Sequence, residues 1–148
     1  MFTPTIERVS ADDRGEIYAI TLPDDQEFLL LHSRAGSLRG GHSHDVDERV
    51  CMLTGKMRYH KKSTGKMRQD IVGVLRTFSD EGQPTDQSLL ATVVKAGETS
   101  YNYAHEIHMG EFLEDSWLLE YKLNTKKGAW VNSDYAPWRE KVTANTAG

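Results

Sequence analysis

The sequence predicts an all-β fold, a sandwich or barrel, and three observations carry that expectation. Short runs of strand-forming residues recur along the chain, clusters of turn-forming residues separate them, and few long stretches show helical periodicity. In order, the runs are EIYAITL (16–22), EFLLLHS (27–33), ERVCMLT (48–54), KMRYHKK (56–62), DIVGVLRTF (70–78), LLATVVKA (89–96), EIHMGEFL (106–113) and SWLLEYKL (116–123). Between them, LPDD, RAGS, LTGK, KSTGK and DEGQPTD supply the Gly, Pro, Asp and Ser that tight connections need, so many neighbouring strands are expected to pair antiparallel.

With 148 residues there is material for one core of ordinary size and little for two, which predicts a single domain over 1–148. Residues 128–148 are set apart as a tail. Trp130, Tyr135 and Trp138 flank Pro137 there, one helical turn is expected through PWREK, and aromatics of this size suit a sheet face or a subunit contact. The apolar fraction of 38% and charged fraction of 27% are those of a globular protein. A formal charge of −4 gives no general attraction to nucleic acid, and no apolar run reaches the length of a membrane span. The opening residues MFTPTIERVS do not read as a secretion signal, and Cys51 has no partner for an internal disulfide, which predicts a reducing, cytoplasmic setting. Cys51 lies in the apolar run VCML and is read as a structural thiol. The basic stretch GKMRYHKKSTGKMR (55–68) is read as the solvated face of a hairpin.

Against this ordinary background stands GSLRGGHSHDVDERVCMLTG (36–55). On a strand, alternate side chains share a face, so His42 and His44 project to one side, about 7 Å apart along the strand. They can converge on one ion, and Glu48, returning after the short turn DVD, can present a carboxylate oxygen to the same point. Two imidazoles and a carboxylate leave open positions on Fe(II), Mn, Ni or Zn. Farther on, AGETSYNYAHEIHMGEF (96–112) offers His105 and His108, which fall on opposite faces of a regular strand, so only one of them can readily join the site. Four of the six histidines thus fall in two stretches, whereas His32 and His60 are isolated and read as structural or exposed.

The spacing Gly36-x5-His42-x-His44-x3-Glu48-x6-Gly55 resembles the first motif of the cupin superfamily at every defined position. The second motif is present in part: Gly97 and His108 stand at its first glycine and its histidine, Tyr103 and His105 replace its proline and second glycine, and Phe112 replaces its asparagine. This resemblance implies a small cupin β-barrel or jelly roll, one divalent metal on His42, His44, Glu48 and His108, and pairing as a homodimer. DDRGEIYAI (12–20), SLRGGHSH (37–44) and FLEDSWLLEYKL (112–123) are also similar to stretches of the nucleotide-sugar epimerase and ketoisomerase branch. That likeness implies a metal-free site with His42 as base and Arg39 as a substrate contact.

A divalent ion on neutral imidazoles and one ionised Glu48 leaves a net charge of about +1, which favours an anionic or chelating oxygen ligand. The expected function is therefore a metal-dependent enzyme acting on a small polar, anionic molecule as an oxygenase, lyase or isomerase. Its alternatives are the metal-free sugar enzyme and a protein that binds the small molecule without turnover. His105 and Tyr103, just before His108, are candidates for acid or base, and Arg39 is a candidate partner for a substrate acid.

Overall fold

The structure is a computed structural model describing residues 3–68, 70 and 89–135. Eleven strands run in chain order: β1 (Thr5–Asp12), β2 (Gly15–Thr21), β3 (Glu27–Ser33), β4 (Leu38–His44), β5 (Glu48–Thr54), β6 (Lys56–Lys62), β7 (Leu89–Lys95), β8 (Thr99–Asn102), β9 (Ile107–Phe112), β10 (Ser116–Lys122) and β11 (Asn132–Asp134). They form two antiparallel sheets, ordered β1-β2-β3-β10-β5-β8 and β11-β4-β9-β6-β7. The all-β expectation holds as a two-sheet jelly roll; the described residues form no closed barrel.

Alternation dictates which residues meet between the sheets. On β5, Glu48, Val50 and Met52 are buried while Arg49 and Leu53 are exposed, the period-2 pattern of a strand with one face on a core. Leu31, Val50, Met52 and Leu118 from the first sheet meet Met57, Tyr59, Val94 and Phe112 from the second. Burying side chains of this size is worth about 1.5–3 kcal/mol each, and cutting one back to alanine leaves a cavity as well. A smaller group, Ile107 and Met109 with Leu38 and Tyr135, packs on the opposite face of the second sheet.

Two glycines make the architecture that carries the histidines. Gly55 alone joins β5 to β6 and turns the chain from one sheet to the other; its φ is +85°, and a Cβ there would lie 2.6 Å from the Asp115 carbonyl oxygen. Gly40, with φ +100°, sits where the β4–β9 register shifts between Gly40 and His42. A Cβ on it would lie 2.7 Å from the His108 carbonyl oxygen. Only a residue without a side chain lets β4 bulge so close to β9 and still set His42 opposite His108.

Several expectations are revised. The stretch 55–68 is not a hairpin: β6 pairs with β7 and β9, and residues 65–68 lie outside the strands. Lys61 is not solvated but buried, because it shares the inward face of β6 with Tyr59, and its Nζ donates to the Tyr101 carbonyl at 2.6 Å. Within the tail, residues 132–134 form strand β11 against β4. Of the expected strand at 70–78 only Asp70 is described, and it is not in a strand; the rest of that run, the turn through PWREK and Trp138 lie outside the described residues. Among the described residues no helix is long and apolar enough to cross a membrane.

Candidate metal centre and its cavity

Three imidazoles come together between the sheets. His42 and His44 reach in from β4 and His108 from β9, with ring centroids 4.7, 4.9 and 5.0 Å apart. One ring nitrogen from each lies within 4.8 Å of the others. Glu48 comes from across the sandwich, not from a strand neighbouring β4: the turn 45–47 carries the chain into the other sheet, and β5 lies between β10 and β8. Its carboxylate faces both His44 Nε2 (to Oε2) and His108 Nε2 (to Oε1) at 3.5 Å.

The hydrogen bonds behind the rings fix which nitrogen is free. His108 Nδ1 donates to the Glu106 carbonyl at 3.2 Å, and His44 Nδ1 pairs with Asn132 Oδ1 on β11. A carbonyl oxygen can only accept, so each Nδ1 carries the proton and each Nε2 presents a lone pair toward Glu48. Burial, reinforced by the charge on His44, lowers His42 to about 4. Burial likewise lowers His108 to about 3 and His44 below its usual value. All three rings are therefore neutral at pH 7.

Glu48 itself is fully buried. Burial would push its carboxyl up, but the fields of His108, Lys122 and His44 outweigh this and hold it below the usual carboxylate range. Asn102 on β8 donates one amide nitrogen to Glu48 Oε1 at 2.8 Å and to the Tyr59 hydroxyl at 2.6 Å. Lys122 on β10 brings Nζ to 2.8 Å from Glu48 Oε2. That contact is a close, buried ion pair, so Oε2 faces the ammonium on one side and His44 Nε2 on the other. The donor set suits a divalent ion: neutral nitrogens with inward lone pairs face an ionised carboxylate.

The cluster lines a cavity of about 350 Å³ that runs between the sheets. At the histidine end, Asn132 pairs with His44, and Trp130 lies over the Lys122 ammonium, 4.7 Å from ring centre to Nζ. At the other end sit Arg14 and Arg39, with Leu31, Met57, Phe112 and Leu118 forming much of the wall between. Glu120 projects from β10 into the same space. Burial, then the charge on Glu48, pushes its carboxyl up to about 8.

The sequence-derived candidates divide. His42, His44, Glu48 and His108 are brought together, and Arg39 shares the cavity. His105 and Tyr103 instead line a separate pocket of about 40 Å³ with Asp47, Lys66, Arg68 and Ala104. His105 adopts φ +66° in the turn before β9, where its N–H donates to the His44 carbonyl at 2.7 Å. Of the isolated histidines, His32 pairs with Glu16 at 2.7 Å and His60 with Glu111 at 3.1 Å. Cys51 is half-buried and takes a 3.6 Å contact from the Thr99 hydroxyl. Sequence reasoning missed Glu120, Lys122, Asn102 and Tyr59. The first two had a signal: Ser116, Leu118, Glu120 and Lys122 alternate on one face of an otherwise apolar strand.

No protein-family model matches the chain, and no curated protein sequence matches it. Solved structures do share its fold. CapF, a capsular polysaccharide assembling protein of Staphylococcus aureus, has a TM-score of 0.56 at 16% identity, covering 84% of this chain and 30% of its own. An oxalate decarboxylase of Bacillus subtilis gives 0.54 at 16%, covering 82% and 27%. KdgF of Halomonas sp. gives 0.54 at 10%, covering 80% and 87%. The chain therefore spans less than a third of the CapF and decarboxylase chains and most of KdgF. The chain thus shares with these structures a fold of two facing antiparallel sheets.

Proposed function

We propose that the chain holds one divalent transition metal, Fe, Mn, Ni or Zn, on His42, His44, Glu48 and His108, and acts as an enzyme on a small molecule bound in the adjoining cavity. One observation carries this reading. Two Nε2 lone pairs face the buried Glu48 carboxylate at 3.5 Å with no proton between them, and the Lys122 ammonium balances that carboxylate without meeting either lone pair, which leaves them to a metal ion.

A divalent ion held there supplies Lewis acidity to a substrate oxygen, and redox chemistry as well if it is iron or manganese. The chain's own residues do the rest. Asn132 and the Glu106 carbonyl hold two rings in the tautomer that leaves Nε2 free. Asn102 orients Glu48. Leu31, Phe112 and Leu118 give the cavity an apolar wall beside the charged groups, where electrostatic interactions are stronger than in water. Glu120, raised to about 8, retains its proton at neutral pH and offers a ligand an O–H donor.

Lys122 supports a second reading. Its ammonium, 2.8 Å from Glu48 Oε2, is an internal counter-cation of the kind a metal-free site needs. In that reading His42 is the base of a sugar-nucleotide epimerase or ketoisomerase. Elemental analysis of protein purified without a metal-affinity tag separates the two. The metal reading expects close to one transition metal per chain, lost in Glu48→Gln and in His42→Ala. Protein that takes up no transition metal, even when one is supplied, overturns it and puts the metal-free reading first.

A further inference from the structure

We infer that the cavity takes an amphiphilic organic carboxylate, its carboxylate gripped by Arg39 at the end remote from the histidines and its apolar body lying against Leu31, Phe112 and Leu118. This deepens the proposed function by naming the substrate class, and it rests on the metal reading only for what the far end of the ligand meets.

The argument begins with an unbalanced charge. Arg39 is buried at 9% exposure. Its Nε donates to Ser33 Oγ at 2.6 Å and one terminal nitrogen to the His32 carbonyl at 3.2 Å. Both partners are neutral, and among the described residues no carboxylate lies within ion-pair distance of Arg39. A buried guanidinium without a counter-charge is costly. The two bonds hold its plane in place and leave further N–H donors unspent. Ser33, itself wholly buried, fixes the group from behind. A fixed planar fork with free donors matches a carboxylate in bidentate geometry. Arg14, also at this end, is already committed to Asp12 at 2.6 Å on the surface.

The wall between the two ends sets the rest of the ligand. Leu29, Leu31, Met57, Phe112 and Leu118 offer no oxygen or nitrogen partner from their side chains, while Glu120, next to Leu118 along the same face of β10, does, so a polyol lying there would leave most of its hydroxyls unpaired. An alkyl or aryl body gains by burial instead. Arg39 and His42 lie three residues apart on β4, up to roughly 10 Å of strand. A carboxylate of modest chain length therefore spans from Arg39 toward the histidines.

Calorimetric titration of hexanoate, hexanamide and acetate into chelator-treated wild-type protein tests this. Hexanoate is expected to bind at least tenfold more tightly than hexanamide, which lacks the charge, and at least tenfold more tightly than acetate, which lacks the apolar body. Arg39→Gln is expected to erase the preference over hexanamide, and Arg39→Lys to keep part of it by retaining charge without the fork. Equal affinity for hexanoate and hexanamide, a preference that survives Arg39→Gln, or equal affinity for acetate and hexanoate would overturn the inference. So would hexanoate binding that appears only on metal loading, since the carboxylate would then sit on the metal. The wild-type comparisons stand even if an Arg39 variant fails to fold. Failure of the metal reading shows differently, as protein that takes up no metal while still preferring hexanoate.

Discussion

The wall built by β4 and β9 and the wall built by β5 and β10 face each other across one cavity with different chemistry. On β4 and β9 the inward groups His42, His44 and His108 are neutral, with the Nδ1 protons of His44 and His108 turned away toward Asn132 and the Glu106 carbonyl. On β5 and β10 the inward positions carry Glu48, Glu120 and Lys122. Around the histidines the first wall supplies lone pairs without charge, Arg39 lying three residues along β4 from His42, and the second supplies charges in close contact. A cation is most at home at their junction, and Glu48 is the residue that creates it.

The sharpest way to break that comparison is to neutralise Glu48. Glu48→Gln keeps the side-chain volume, removes the carboxylate charge facing the two Nε2 atoms, and leaves Lys122 buried without its partner. Metal retention is expected to fall more than a hundredfold. Removing one member of a buried ion pair costs about 3–5 kcal/mol of stability. The double variant Glu48→Gln, Lys122→Met should recover most of that stability and none of the metal binding. Denaturant titration and elemental analysis read the two effects separately; recovery of both together would show that Glu48 acts only as a structural partner of Lys122.

How much of this was legible in the sequence follows from the range of the interactions. Alternation in ERVCMLT, KMRYHKK and SWLLEYKL is local, and it predicted strands that the fold contains as β5, β6 and β10. The spacing of His42 and His44 is local too, and their rings converge as expected. The position of Glu48 was harder: six residues from His42, it stands in the other sheet, because the turn 45–47 crosses the sandwich instead of closing a hairpin. Asn102 and Lys122 reach Glu48 only through the β5–β8 and β5–β10 registers, where they pair with it directly. No local pattern encodes those registers. Lys61 misled for the same reason: a lysine in a basic run reads as solvated until the fold puts it 4.0 Å from buried Glu106.

Acid tests the neutral wall next. In the unfolded chain the imidazoles take up protons near their ordinary value, 6.5, whereas in the fold His42 resists until about 4 and His108 until about 3. Between those values these imidazoles bind more protons in the unfolded state, so their contribution to stability is full above pH 6.5 and is lost as pH drops through the window. For His42 alone the shift from 6.5 to about 4 corresponds to roughly 3 kcal/mol. In urea denaturation of chelator-treated protein at successive pH values, the stability of wild type relative to His42→Ala should fall between pH 6.5 and 4. Because Glu120 and Glu106, raised to about 8 and about 7, act in the opposite sense over this range, the deciding quantity is the difference between wild type and His42→Ala: a difference that stays constant from pH 7 to 4 would mean that the His42 ring is already charged in the fold, which removes a lone pair on which the metal reading depends.

The smallest expected effect concerns Lys122, and it sharpens the contrast between the walls most finely. Its ammonium holds Glu48 Oε2 at 2.8 Å while stacking against Trp130. Burial would lower its pKa, but Glu48 and Glu120 outweigh this and keep it charged. A positive charge at that distance opposes an incoming dication and competes for the same oxygen. Lys122→Met removes both effects with a side chain of similar length. Without metal, Glu48 then lacks its counter-cation and the fold is weakened; with metal, the dication takes over that role. The metal's affinity for the folded protein should therefore rise about tenfold, equivalent to about 1.4 kcal/mol. The thermal shift produced by saturating metal should grow as well, because a ligand bound only by the folded state stabilises it. Competition titration with a chromogenic chelator measures the first quantity and calorimetric unfolding the second. If Lys122→Met instead loses metal, the lysine organises the site rather than guarding it, and Glu48 depends on that ammonium for its position beside the histidines.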